Sequence, residues 1–266
     1  MEASTYSLDG RQQKRTVLPR VFSEPVREDL IRRASLAVLS QGFQPKGVYK
    51  WSGLETSAEY VGRRRSYRSM INIGRARLPK VKLPKGRMGD VRKVPFARKG
   101  RRAHPPKPEH VLVEKINKRE RRKAVRSAIA ATGVKELALA RGHRIPANAT
   151  VPFVVEDGIE SVKKAGELFA ALERLGLGSE LERCRETKIR AGRGKSRGRK
   201  YRKKRGILII VSKDGGIMRA ASAIPGVEAC TVNALNVDML APGGTPGRLA
   251  LYSESALNQL DAHTGD

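Results

Sequence analysis

The chain has 266 residues, 39% of them hydrophobic, enough for one sizeable core with appendages or for two small domains. Its 55 Lys+Arg against 26 Asp+Glu leave a net +29 at neutral pH, which selects a polyanionic partner, nucleic acid first. Two cysteines, Cys184 and Cys230, and four scattered histidines argue against a metal site or a disulfide framework, and fit a reducing compartment.

The N-terminus, MEASTYSLDGRQQ, lacks the apolar stretch of a secretory signal. The longest strongly apolar run, Ile207 to Val211, falls far short of the ~20 residues needed to span a bilayer. The basic runs have no apolar helical face for a lipid surface. A cytoplasmic protein without membrane contact is expected.

Ser23 is placed to cap a helix that begins at Glu24-Pro25 and runs to about Leu39, with Val26, Leu30, Ala34 and Val38 inward and Gly42 after its end. From Gly42 to His110 no helical or strand period persists, and Pro79, Pro84, Pro95, Pro105, Pro106 and Pro108 punctuate the stretch. Asn117 with Glu120 has the form of a capping box. It opens a helix with Ala124, Val125, Ala128 and Ile129 inward that stops at Gly133. Beyond it, short apolar runs alternate with helical patterns. Phe153–Val155 precedes a helix over about 158–175 with Ile159, Val162, Phe169 and Leu172 inward. Ile207–Val211 precedes a helix near 216–223, Val227–Val232 a turn of helix near 237–240, and Leu249–Tyr252 a helix at 254–260. This alternation predicts an α/β fold: a three-layer, open, mostly parallel sheet with helices on both faces, plus a long extended basic internal loop.

The charge is confined. Residues 62–110 carry 17 Lys+Arg against 2 acids, 111–126 carry 7 against 2, and 188–205 carry 11 against none. The rest holds 20 basic and 22 acidic side chains, a nearly neutral body. The expected organisation is 1–61 as the N-terminal part of the globular domain, 62–110 as an extended basic loop for a polyanion, and 111–266 as the α/β globular domain with a basic insertion at 188–205. Ordering 62–110 costs on the order of 1–2 kcal/mol per residue of backbone entropy, which its scattered apolar side chains cannot offset by burial, whereas phosphates can. Tyr201, the one aromatic of 188–205, is suited to stacking on a base or to packing beside the following strand. Gly194-Lys195-Ser196 has the ending of a phosphate-binding loop, but Ile189 stands where that pattern needs Gly and no strand precedes it.

No strand end carries a nucleophile-base pair, paired carboxylates or a GxGxxG run. Asp157 and Asp214 read as caps or turn residues, and His143 as a hydrogen-bonding or RNA-contact residue. No catalytic residue, cofactor or metal is expected.

Gly74-Arg75-Ala76-Arg77 with Pro79, Lys99-Gly100-Arg101-Arg102-Ala103-His104-Pro105-Pro106-Lys107, Asn117-Lys118-Arg119-Glu120 leading to Ala124-Val125-Arg126-Ser127-Ala128, and Arg141-Gly142-His143 occur in that order. With Gly53–Glu59 and the basic stretch Arg190–Lys204, this pattern closely resembles the universal ribosomal protein four family of the large subunit, in its archaeal type. The resemblance covers essentially the whole chain. It implies a structural constituent of the large ribosomal subunit that binds large-subunit rRNA, supports subunit assembly and lends a long loop to the wall of the nascent-peptide exit tunnel. Implied partners are large-subunit rRNA, neighbouring proteins including ribosomal protein twenty-two, and the nascent peptide.

Carried onto this sequence, the resemblance gives Gly74, Arg75, Arg77, Lys80 and Lys82 as tunnel-lining candidates. The rRNA-binding candidates in the loop are Arg63, Arg64, Arg65, Arg68, Arg75, Arg77, Lys80, Lys82, Lys85, Arg87, Arg92 and Lys93, then Arg98, Lys99, Arg101, Arg102, His104 and Lys107 on its return limb. Lys118, Arg119, Arg122, Arg126, Arg141 and His143 follow. The insertion adds Lys188, Arg190, Arg193, Lys195, Arg197, Arg199, Lys200, Arg202, Lys203 and Lys204. The rival readings are an enzyme acting on DNA or RNA, and a chromatin protein, each on the same α/β body.

Overall fold

A computed structural model describes residues 2–146 and 149–264, with side chains to 260. The chain divides into two units, one of residues 1–42 with 113–266 and one of residues 43–112. The boundary groups 43–61 with the basic segment 62–110 rather than with the globular part.

The first unit is built on a six-stranded sheet. In chain order it contributes β1 (Glu2–Tyr6), β2 (Gln12–Val17) and α1 (Glu28–Ser40) before the second unit departs. Within the second unit lie β3 (Lys80–Lys82) and β4 (Met88–Val91). Then follow α2 (Lys118–Thr132), α3 (Lys135–Ala140), β5 (Phe153–Val155), α4 (Ala165–Leu172), α5 (Gly178–Arg185), and the short strands β6 (Lys188–Ile189) and β7 (Tyr201–Arg202). The last are β8 (Leu208–Val211), α6 (Ile217–Ser222), β9 (Glu228–Thr231), α7 (Val237–Leu240), β10 (Ala250–Ser253) and α8 (Glu254–Thr264).

The large sheet has the order β2-β1-β5-β10-β8-β9. Every neighbouring pair is parallel except the β1–β2 hairpin at one edge. The side-chain period of two assigns each strand residue to one of two cores. Leu208, Ile210, Ala250, Tyr252 and Val154 pack with α1, α2, α7 and α8. Ile209, Val211, Leu251, Phe153 and Val155 face the other way, toward α4, α5 and α6. Strands buried on both faces read as unbroken apolar runs, which is why Ile207–Val211 shows no alternation. The predicted three layers are therefore present.

Local chemistry sets the helix ends. Asn117 and Glu120 form a reciprocal capping box at the start of α2, and Gly133 caps its end. The first helix departs from expectation. Arg20–Ser23 form a separate 3-10 turn, Pro25 lies outside, and α1 starts at Glu28 with no side-chain cap; its fully buried face is Ile31, Ala34, Ser35 and Ala37. The stretch expected as one helix over 158–175 breaks into a 3-10 turn at Asp157–Ser161 and α4. Ile159 and Leu172 are buried there, whereas Phe169 faces solvent.

The second unit has sparse regular structure: β3 and β4 pair antiparallel, Glu59 bridges to Lys80, and the rest is turns and bends. Only Ala58, Met70 and Lys80 are buried in it. Among the described residues, every non-glycine with positive φ lies here: Arg65, Arg68, Asn72, Lys85, Lys93 and Lys99. Left-handed backbone costs a side-chain-bearing residue about 1–2 kcal/mol, so the unit carries strain with little core to offset it.

Candidate nucleic-acid interface

The five parallel strands of the first unit run in one direction, and charge separates along them. At their N-terminal ends sit Arg205 before β8, Glu228 at the start of β9 and Arg248 before β10. Arg248 is fully buried. Its Nε donates to the Gly206 carbonyl at 2.8 Å, and Nη1 donates to Glu228 Oε2 and to the Met239 carbonyl, both at 2.7 Å. Burial pulls its pKa down to about 10, still charged at neutral pH. Arg205 pairs with the same Glu228.

Beside this group, His143 Nδ1 lies 2.7 Å from Glu180 Oε1, both side chains out of water, and the Leu249 N–H donates to His143 Nε2 at 3.3 Å. Nε2 therefore accepts and Nδ1 carries the proton. Glu180 also takes the Arg144 N–H at 2.9 Å and two bonds from Arg183 at 2.8 and 2.6 Å. Burial pushes this carboxyl up, but the hydrogen bonds from Arg183, His143 and the Arg144 backbone outweigh it and hold the pKa at about 2. Arg183 in turn donates to the Arg205 carbonyl at 2.9 Å. Arg141 binds the Thr245 carbonyl, Thr245 Oγ1 at 2.7 Å and the Pro242 carbonyl at 2.7 Å.

These anchors shape an open cleft of about 560 Å³ lined by Arg141, Arg183, Lys188, Arg202, Lys203, Lys204, Arg205, Pro242 and Thr245. Its rim is the β6–β7 hairpin, on which Arg190 stiffens the turn by donating to the Arg199 carbonyl at 3.1 Å. Gly194-Lys195-Ser196 belongs to a 3-10 turn at the tip of this hairpin and has no strand-to-helix setting. Lys204 is held by Glu186 at 2.7 Å. Lys188, Arg193, Lys195, Arg197, Arg199, Lys200, Arg202 and Lys203 are exposed and form no ion pair with described residues. Eight exposed cations without ion-pair partners on one short hairpin repel one another, and an external polyanion would relieve that.

The C-terminal strand ends carry the acids, and these are spent on local structure. Glu160 accepts from the Ser212 N–H at 2.7 Å and Ser253 Oγ at 2.6 Å. Asp157 takes the Ser255 N–H at 2.8 Å, and Asp214 the Gly216 N–H at 2.9 Å. In α/β folds ligands bind at this end, yet here its carboxylates anchor turns. Among the described residues no group of three His, Cys, Asp or Glu could hold a metal ion, and no helix is long and apolar enough to cross a membrane.

In the second unit most candidates are exposed: Arg63, Arg64, Arg65, Arg75, Arg77, Lys82, Lys85, Arg87, Arg98, Lys99, Arg101, Arg102, His104 and Lys107. Gly74 is exposed as well, with positive φ and open space around it. Arg68 is half-buried and donates to the Leu83 carbonyl at 2.6 Å, Arg92 donates to the Arg98 carbonyl at 3.0 Å, Lys93 is half-buried, and Lys82 pairs with Glu59. Lys46, Arg102, His104, Lys107 and His110 line a concavity of about 660 Å³. Lys118, Arg119 and Arg122 are exposed on α2, and Arg126 pairs with Glu24 at 3.8 Å.

Two candidates are buried, His143 and Lys80. His143 is buried with both ring nitrogens engaged inside the fold, the hydrogen-bonding role of the two read for it. Lys80 is largely buried in the β3–β4 hairpin. Sequence reasoning missed Glu180, Arg183 and Arg248. The one local signal is Arg248 directly before the apolar run Leu249–Tyr252.

Residues 16–263 match the sequence profile described as the ribosomal protein L4/L1 family. The chain belongs to that family. It is 43% identical over 261 residues to the large ribosomal subunit protein uL4 of Methanocaldococcus jannaschii, covering 98% of both chains. It is 44% identical over 261 residues to that of Archaeoglobus fulgidus, again 98% of both. The Pyrobaculum aerophilum protein of the same name is 43% identical over 260 residues, 96% of this chain and 87% of the relative. Membership of the L4/L1 family makes the chain a ribosomal protein of the large subunit, of archaeal type and cytoplasmic, and a structural constituent rather than a member of an enzyme family.

Proposed function

We propose that the chain binds large-subunit rRNA through its two cationic segments, the 43–112 unit and the β6–β7 hairpin, while the neutral sheet carries them. The observation behind this is the set of exposed, unpaired cations on elements that add nothing to either core. Extended cationic peptide between RNA helices screens phosphates that otherwise repel, and gains order as it does so. The six strained residues between Arg65 and Lys99 fit a segment that reaches its working, extended form on RNA. Most contacts go to phosphate and sugar, so they position the protein, and RNA shape supplies selectivity.

In this reading the segment from about Arg63 to Lys93 reaches the wall of the nascent-peptide exit tunnel, near ribosomal protein twenty-two and the emerging peptide. Gly74, Arg75, Arg77 and Lys82 lie near its tip, and Lys99, Arg101, Arg102 and His104 grip rRNA on the return. Subunit assembly depends on that grip. Sedimentation of lysate through a sucrose gradient, with subunits split at low magnesium, tests the proposal. The chain is expected to travel with the large subunit, and the charge-reduced hairpin variant to appear at the top of the gradient. A variant that stays bound as tightly as the native chain contradicts the hairpin's role.

A further inference from the structure

The exposed aromatic rings follow the cations. Of twelve aromatic residues, eight are exposed, and seven of those lie in the 43–112 unit or on the β6–β7 hairpin. The sheet and its helices bury or half-bury theirs except Phe169. Trp51 is 59% exposed, Tyr67 74%, Phe96 75% and Tyr201 50%. Phosphate binding gives no reason for this, because a ring contributes nothing to a salt bridge and exposing it forfeits burial that either core offers.

Two of the rings are already prepared on one side. The Arg68 guanidinium carbon stands 5.2 Å from the centroid of Tyr67, and that guanidinium is fixed by its bond to the Leu83 carbonyl at 2.6 Å. On the hairpin, Lys200 Nζ stands 5.5 Å from the centroid of Tyr201. Half the surface of Tyr201 is open and a cation attends it. A ring with open surface and a cation beside it matches one nucleotide: the base stacks on the ring and its phosphate meets the cation.

We propose that Trp51, Tyr67, Phe96 and Tyr201 are stacking sites for unpaired RNA bases, so that the cationic segments prefer looped or single-stranded RNA to continuous duplex. This rests on the rRNA-binding reading and sharpens it. Bases in an A-form duplex are stacked on each other and offer no free face, whereas loops and bulges do. Tyr67 marks the β3–β4 turn and Tyr201 the base of the second hairpin, so each cationic hairpin carries a ring together with its phosphate contacts.

The test uses the full-length protein, a single-stranded uridine oligonucleotide and a continuous RNA duplex of equal charge, with affinities measured across a salt series. Trp51 is the single tryptophan of the chain, so quenching of its fluorescence reports stacking at one known place. Single-stranded RNA is expected to quench it and duplex RNA to leave it nearly unchanged. Tyr67→Ala, Phe96→Ala and Tyr201→Ala are each expected to weaken single-strand binding about 5- to 100-fold. Duplex affinity and the salt slope should stay as in the native chain. Exposed rings are not needed for folding, so circular dichroism should be unchanged. Equal losses on both RNAs, or no loss on either, overturns the stacking proposal while leaving the phosphate reading intact. Failure of the rRNA-binding reading looks different: binding to both RNAs is weak and independent of salt.

Discussion

Ser40 and Glu114 are hydrogen-bonded across 74 positions of sequence: the Glu114 N–H donates to Ser40 Oγ at 2.9 Å, while that hydroxyl donates to the Ala37 carbonyl at 2.7 Å. The last residue of α1 and the segment leading into α2 thus meet, and residues 43–112, the second unit, lie in the chain between them. A large insertion on a closed neck costs little, because closure entropy grows only with the logarithm of loop length.

Replacing residues 44–111 by a short Gly-Ser linker should therefore leave the first unit folded. Far-UV circular dichroism and a cooperative urea transition with a midpoint at or above that of the full chain are expected, with RNA affinity reduced. A variant without a cooperative transition would show that 43–112 is needed for the core.

The Glu180 pair gives acid sensitivity with a defined sign. The folded pKa of about 2 lies below the ordinary 4.5, so this group's contribution is complete above about pH 4.5 and is lost as pH falls toward 2. Glu180→Gln should remove that part of the pH dependence. It should also lower stability by about 3–5 kcal/mol at neutral pH, because Arg183 and His143 lose their buried acceptor. Urea denaturation at several pH values reads both effects, and a variant with native acid dependence contradicts the assignment.

The turn beneath the cationic cleft offers a paired test. At Gly247, with φ +90°, an added Cβ would come within 2.6 Å of the Leu137 backbone; at Gly243, with φ +78°, nothing lies within 4 Å. Gly243→Ala should cost about 1–2 kcal/mol for left-handed backbone alone. Gly247→Ala should cost roughly 1–3 kcal/mol more because packed backbone must move. Equal thermal shifts for the two variants would contradict the close packing of α3 against this turn.

Replacing Lys195, Arg197, Arg199, Lys200, Arg202 and Lys203 by Gln should lower rRNA affinity and flatten its salt dependence, by roughly 0.7 in log-log slope for each phosphate no longer neutralised. The unfolding transition should not move, since these side chains touch no core. A slope equal to that of the native chain would remove the hairpin from the interface.

What was legible in the sequence is what is local. Asn117 and Glu120 are three residues apart and form their box within one turn, so the start of α2 could be read directly. The doubly buried strands announced themselves as apolar runs. The β1–β2 edge did not, because Ala3, Ser4 and Thr5 are buried there without being large or apolar, and Gln12–Val17 is an exposed edge held by backbone pairing. The break before α4 was hidden because Ile159 and Leu172 keep a helical spacing across it. The sequence leaves His143 open between a hydrogen-bonding and an RNA-contact role because its partner Glu180 lies 37 positions away, and a buried ion network leaves no periodic trace. The gathering of Arg205, Glu228 and Arg248 at one end of the strands and of Asp157, Glu160 and Asp214 at the other needs the sheet order to be seen at all.

Ultraviolet crosslinking of intact large subunits, followed by mass spectrometry of the RNA-bound peptides from this chain, tests the central claim most directly. Crosslinked peptides are expected from residues 43–112 and 188–205, and none from the acidic strand ends around Asp157, Glu160 and Asp214. Crosslinks concentrated at those strand ends, with the two cationic segments free of RNA, would contradict it.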